Sequence, residues 1–154
     1  MKNSILLLII LVTSLSCTSS DKVINMNNST IDTAIYVYLN NSDGVNIIGT
    51  TNFNNESIKV SYVAPAPSNK KFYYLDTDIQ GRKFVKILLN SGSENSMENT
   101  TTETIIEWNS INSDIFKAEI IKNKAENYIG IGKVYLNNQL VCPDRDHRII
   151  TIIK

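Results

Sequence analysis

Lys133-Val134-Tyr135-Leu136-Asn137-Asn138-Gln139-Leu140-Val141 is the stretch whose reading decides the fold. Two β-prone runs flank two asparagines. Val and Tyr fit a pleated, half-buried surface. Asn tolerates positive φ better than other side-chain-bearing residues, because its short amide bonds locally. A pair of them suits the tight type I′ turn, whose twist matches that of the strands it joins. The stretch therefore predicts a β-hairpin.

Working outward, the same grammar recurs. Upstream lie Tyr128 to Leu136, Ile115 to Ile121 and Thr104 to Trp108; before them come Lys83 to Leu89 and Lys71 to Leu75. Ile58-Lys59-Val60-Ser61-Tyr62-Val63 alternates with period two, placing Ile58, Val60 and Tyr62 on one face. Ala34 to Leu39 and Arg148 to Ile153 are the first and last strongly β-prone runs, and Val45 to Ile48 is a shorter one. Punctuation falls between them: Asn40-Asn41-Ser42-Asp43-Gly44, Asp78-Ile79-Gln80-Gly81, and Ala64 to Asn69, where Pro65 and Pro67 lack the N–H a central strand needs. Ser91 to Glu103 is the longest polar stretch and is expected to be a mobile loop. Ile115 to Glu126 contains helix-tolerant residues, but Ile115, Lys117, Glu119 and Ile121 alternate, imperfectly, with Phe116, Ala118 and Ile120, so a strand is expected. No repeat of 20–50 residues is visible. Short runs at roughly 10-residue spacing predict an all-β fold. The expectation is an antiparallel immunoglobulin-like β-sandwich of about eight or nine short strands, preferred over a small barrel.

The amino-terminal residues carry a different signal. Met1-Lys2-Asn3 is a short basic start, Ile5 to Val12 an unbroken apolar run, and Thr13-Ser14-Leu15-Ser16 a small, mildly polar end before Cys17. That order reads as a secretory signal peptide, with a core too short to span a bilayer. The segment resembles the lipobox of bacterial lipoproteins, although Ser14 stands where an aliphatic residue is usual. The resemblance implies cleavage before Cys17 and lipidation of its thiol. Acyl chains contribute about 0.8 kcal/mol per buried CH₂, and two or more make a firm anchor. The expected organisation is a signal peptide over 1–16, lipidated Cys17 and a flexible tether over 17–31, and a β-sandwich domain over 32–154. Ordinary secretion without lipid is the rival reading. The expected location is the cell envelope, with the domain anchored to a membrane on its periplasmic or outer side.

Composition narrows the function. The chain has 154 residues, with 15 Lys and Arg against 15 Asp and Glu. Loss of Lys2 with the signal would leave 14 against 15, a net of −1. No basic stripe calls for a nucleic-acid partner. Of the two cysteines, acylated Cys17 would leave Cys142 without a partner, best read as a small buried hydrophobe.

Chemistry-bearing constellations are sparse. The single histidine, His147, lies in Asp144-Arg145-Asp146-His147-Arg148, an arrangement expected to be an exposed turn rather than a converged acid/base or metal site. Asn41-Ser42-Asp43-Gly44-Val45-Asn46 has one carboxylate, too few for a calcium loop. No catalytic residue, metal ligand or cofactor site is assigned, and an enzyme is not expected. Tyr36, Tyr38, Tyr62, Phe72, Tyr73, Tyr74, Tyr128 and Tyr135 are expected mostly to fill the core, with one of the adjacent Tyr73 and Tyr74 facing outward. Trp108 is expected in the core. Asp32-Thr33-Ala34 resembles the short acceptor pattern for periplasmic O-glycosylation in Bacteroidota. Thr33, at the junction of tether and first strand, would be accessible to it.

Several segments together resemble small Bacteroidota lipoproteins of unknown function. They are Asn41 to Ile48, Ile58 to Tyr62, Ile105-Ile106-Glu107-Trp108-Asn109, Lys133 to Val141, and Ile149 to Lys154. Asn46 and Asn138 replace the Asp and Gly usual there. The resemblance implies a lipid-anchored all-β domain and carries no activity. The reading that follows is a non-catalytic binding module at the cell envelope, holding a glycan, peptide or protein partner. The alternative is a structural or assembly subunit that pairs through an exposed edge strand.

Overall fold

The computed structural model describes residues 30–63, 72–92, 96 and 98–154. These residues form ten strands and no helix: β1 Thr30–Asp32, β2 Ala34–Asn40, β3 Lys59–Tyr62, β4 Tyr73–Thr77, β5 Lys83–Leu88, β6 Thr100–Glu107, β7 Ser113–Asn123, β8 Tyr128–Leu136, β9 Gln139–Cys142 and β10 Ile149–Ile153. They make two sheets. The larger runs β1-β8-β7-β6-β3, with β9 also on β8; the smaller runs β10-β2-β5-β4. The expected all-β, two-sheet architecture is found.

The pairing is not wholly antiparallel. β1 runs parallel to β8, and β10 runs parallel to β2. Both exceptions follow from chain path: the first and last strands reach their partners from distant parts of the chain rather than through hairpins, so no tight turn dictates direction. The larger sheet curls into a half-barrel. Its register shifts between Ala118 and Ile120 and again between Val134 and Tyr135, and such irregularities bend a strand and increase its twist.

The hairpin predicted at Asn137-Asn138 is present. Leu136 pairs with Gln139, and the two asparagines have φ of 49° and 70°. β7 is a strand throughout, extending beyond Ile121 to Asn123. Three local expectations change. Thr30 and Ile31, expected in the tether, pair with Tyr128 and Ile129. Val45 to Ile48 is not a strand; it contributes only a bridge from Asn46 to Asn40. The polar loop expected to reach Glu103 gives way to β6 at Thr100. Thr102 is buried there, and its hydroxyl donates to the Asn90 carbonyl at 2.5 Å. A β-branched polar residue enters a sheet when its hydroxyl has a partner inside.

The core lies between the sheets. Ile35, Val37 and Leu39 of β2 meet Val85 and Ile87 of β5, and across the sandwich Ile106, Trp108, Phe116, Ile120, Ile129 and Ile131 complete it. Trp108 is fully buried, as expected, and so is Cys142. Burial pushes the Cys142 thiol up to about 11, so it stays protonated and behaves as an apolar group. At one seam Tyr62 stacks on Phe72 with ring centroids 4.2 Å apart, and its hydroxyl donates to the Leu88 carbonyl at 2.8 Å. Burial raises the Tyr62 hydroxyl to about 12.

Between β1 and β2 the chain passes from one sheet to the other within a single residue, Thr33. Its carbonyl accepts from Leu89 N at 2.9 Å. The accessibility expected of Thr33 is not found: it is 4% exposed. A residue that crosses the layers is covered by both. The expectations placed on 1–29, including Cys17, and on Ala64 to Asn69 lie outside the described residues.

Candidate functional site

The outer face of the smaller sheet carries an aromatic cluster among its polar residues. Along β2, Ile35, Val37 and Leu39 point inward, so Tyr36 and Tyr38 point out. Register then assembles their neighbours. Ile149 of β10 lies beside Tyr36, and Thr151 beside Tyr38. Tyr36 sits opposite Lys86 on β5, which sits opposite Tyr74 on β4. Phe84 closes on both tyrosines, with centroids 5.7 Å from each and interplanar angles of 69° to Tyr36 and 47° to Tyr38. Such edge-tilted pairs contribute about 0.5–1.5 kcal/mol each beyond area burial.

The β4–β5 turn seals one end. Asp78 Oδ1 accepts from the backbone N–H of Gln80 and of Arg82, both at 2.9 Å, and Gly81 adopts φ of 79°. Asp78 Oδ2 takes Arg82 Nε at 2.8 Å and the Tyr38 hydroxyl at 3.0 Å. This clamp lays the guanidinium over the Tyr38 ring, 4.9 Å from its centroid. Partial desolvation would raise the Asp78 carboxyl, but the Arg82 backbone and guanidinium, the Tyr38 hydroxyl and the Gln80 N–H together hold it at about 2. Desolvation, then the Asp78 hydrogen bond, raises the Tyr38 hydroxyl.

The result is an open groove of about 330 Å³ lined by Tyr36, Tyr38, Phe84, Asp146, Arg148 and Ile149. Concavities of similar volume elsewhere are lined by Asn99, Thr100, Thr101 and Glu119 with two isoleucines, or by polar residues around Lys59 and Glu107. Volume does not separate them; the aromatic lining does. Most charges near the groove are already paired: Arg82 with Asp78, and Arg148 with Asp32 at 2.6 Å. Three groups in or beside the groove remain open, one of them Lys86, which makes no ion pair among the described residues. The Tyr36 hydroxyl has no hydrogen-bond partner among the described residues. Asp146 is 83% exposed at its side chain, with Arg145 3.9 Å away.

The residues singled out in the sequence fare differently. Asp144 and His147 do meet, with His147 Nδ1 2.8 Å from Asp144 Oδ1, while Asp146 turns away toward the groove. Asp144 Oδ1 also accepts the backbone N–H groups of Asp146 and His147. The segment is an exposed turn tied by one carboxylate. The hydrogen bond and charge of Asp144 raise His147, and the reciprocal bond from His147 lowers Asp144. At the Asn41 loop, Asn41 Oδ1 accepts Asp43 N and Val45 N, so its oxygen is used in making the turn. Tyr73 faces inward, its hydroxyl 2.8 Å from the carbonyls of Asn55 and Ile58; Tyr74 is 45% exposed. Sequence reasoning credited Tyr36 and Tyr38 to the core, passed over Phe84, and missed the groove; Tyr38 is only 9% exposed, but it is covered by Phe84 and Arg82 on the outer face. The signal was there: Ala-Ile-Tyr-Val-Tyr-Leu is apolar at every position, so both faces of that strand are apolar.

No protein-family model, curated protein or solved structure matches this chain.

Proposed function

We propose that this chain is a non-catalytic, lipid-anchored binding module of the cell envelope. Cys17 carries the lipid, and the groove on the outer face of the smaller sheet holds the ligand. The two sheets are read as an immunoglobulin-like sandwich, supported by the strand that passes between them at Thr33. The observation that carries the binding assignment is the aromatic lining of a sheet face that ordinarily meets water. Binding sites combine apolar walls with a few convergent polar groups. Tyr36, Phe84 and Ile149 supply the walls, and the Tyr36 hydroxyl and Asp146 carboxylate supply the polar groups. With the neighbouring guanidiniums already paired, little net charge is left to select an ionic partner. A neutral sugar unit, with an apolar ring face and hydroxyl donors, fits that chemistry best among glycan, peptide and protein ligands.

Titration of the full chain with a panel of neutral oligosaccharides, followed by NMR or calorimetry, tests this. Saturable binding that weakens at least tenfold in Tyr36→Ala and in Phe84→Ala is expected. Saccharide binding that both substitutions leave intact, or none across the panel, refutes the assignment. Trp108 is buried, so its fluorescence is not expected to report on the groove.

A further inference from the structure

The smaller sheet ends at β10, and the parity of its hydrogen bonds can be fixed. Tyr36 N donates to Arg148 O, and Lys154 N donates to Asn40 O, both at 2.9 Å. With the parallel register of β10 on β2, the alternate residues between them, Ile150 and Ile152, also face β2. The N–H and C=O groups of Ile149, Thr151 and Ile153 therefore point away from the sheet. None of the three has a hydrogen-bond partner there among the described residues.

Proteins usually defend such an edge with charge, proline, a bulge or brevity. Ile149-Ile150-Thr151-Ile152-Ile153 has no charge and no proline. Its flanking cations are turned inward: Arg148 pairs with Asp32 at 2.6 Å and Lys154 with Asp114 at 2.7 Å, their side chains 12% and 15% exposed. Ile149 and Ile153 are 70% and 59% exposed. The other edges are protected. β3 opens with charged Lys59, which faces Glu107; β4 carries the exposed charge of Asp76; β1 is three residues long and β9 four.

We propose that β10 is a homodimerisation strand, pairing antiparallel with β10 of a second copy so that Thr151 faces Thr151. The strand's own parity admits this partner, and its two exposed isoleucines, Ile149 and Ile153, are what a second copy would match. Matching 151 with 151 also matches 149 with 153, and each of these residues presents its N–H and C=O to the edge. A slip of one residue would set an edge-facing group against an inward-facing one. The same register lays Ile149 on Ile153 across the twofold axis, removing both from water on a self-complementary surface. The two smaller sheets become one, with both aromatic grooves on its outer face. The contact is small, below about 1,200 Å², so the dimer is weak in solution and is favoured where a membrane concentrates the chain. The inference does not depend on which ligand the groove takes.

Cysteine cross-linking of the full chain tests the register. Hydrogen-bonded antiparallel pairs have Cα atoms about 5.5 Å apart, within the roughly 4.4–6.8 Å a disulfide spans. Under copper–phenanthroline oxidation Thr151→Cys is expected to give a covalent dimer well above the parent chain. Ile149→Cys alone should not, whereas a mixture of Ile149→Cys and Ile153→Cys should. In sedimentation equilibrium the parent should self-associate at high micromolar concentration, and Thr151→Lys should weaken this at least about tenfold by opposing like charges. A strictly monomeric parent, or cross-linking indifferent to position, overturns the proposal. Circular dichroism of each variant confirms that the fold is retained.

Discussion

Replacing Asp114 by Ala should unfold this domain more readily than any single change in the groove. Asp114 is 4% exposed and accepts three hydrogen bonds: Trp108 Nε1 at 2.6 Å and Lys154 Nζ at 2.7 Å on Oδ2, and Asn137 Nδ2 at 2.7 Å on Oδ1. One carboxylate thus joins the end of β6, the start of β7, the β8–β9 turn and the residue after β10. Truncation strands all three donors. Each buried neutral donor left unsatisfied costs about 1–3 kcal/mol. Lys154 is 15% exposed at its side chain, so its ammonium can reach water by a small rotation and costs less than a sealed charge. The expected loss is about 3–5 kcal/mol, a large share of a typical domain's roughly 5–15 kcal/mol. At about 4 °C per kcal/mol for a domain of this size, Tm should fall by about 12–20 °C. Urea unfolding followed by Trp108 fluorescence measures this directly, because the indole loses its partner in the same event. A cycle with Lys154→Met isolates the ion pair: Lys154→Met should cost less in Asp114→Ala than in the parent. A loss below about 1 kcal/mol, or strict additivity in the cycle, would refute the assignment of this network as the clasp.

Other substitutions separate residues that look alike in the sequence. Asn137→Ala should cost about 2–3 kcal/mol, since Asn137 both holds positive φ and bonds Ile115 N and Asp114; Asn138→Gly should change stability by less than about 0.5 kcal/mol, as urea unfolding would show. Tyr62→Phe should cost about 1 kcal/mol by leaving the Leu88 carbonyl without its donor, read as a lower denaturation midpoint at unchanged m-value. Asp78, held at about 2 against an ordinary 3.8, contributes stability that is present above pH 3.8 and lost as pH falls through 2; Asp78→Asn should flatten that acid limb in unfolding curves between pH 4 and 2. His147 is raised from 6.5, so its contribution is present below pH 6.5 and lost as pH rises through its folded value. His147→Ala should remove that slope in melts taken on the alkaline side of 6.5.

The strands were legible where a local rule acts alone. Alternation at Ile58 to Tyr62 and positive-φ asparagines at 137 and 138 need no knowledge of the rest of the chain. The sheet partners were not legible, because parallel pairing of β1 with β8 and β10 with β2 joins segments about a hundred residues apart. Thr100 to Glu103 was misread because side-chain polarity says nothing about whether a buried acceptor such as the Asn90 carbonyl awaits it. The groove was hidden for the opposite reason. Aromatic residues were credited to the core, and only register shows that Tyr36, Tyr38 and Phe84 gather on the far side of their sheet. The Asp144–His147 contact depended on the exact turn geometry, which neighbouring charges do not specify.

The passage at Thr33 has a mechanical consequence. Tension on the chain before Thr30 runs along β1, whose parallel bonds to β8 are loaded together in shear rather than opened one at a time. Behind them, Thr33 turns the chain across to the second layer, where β2 is held on both flanks. A pull from the amino-terminal side would therefore meet the short β1 first and, once that yields, β2 with both of its flanking strands.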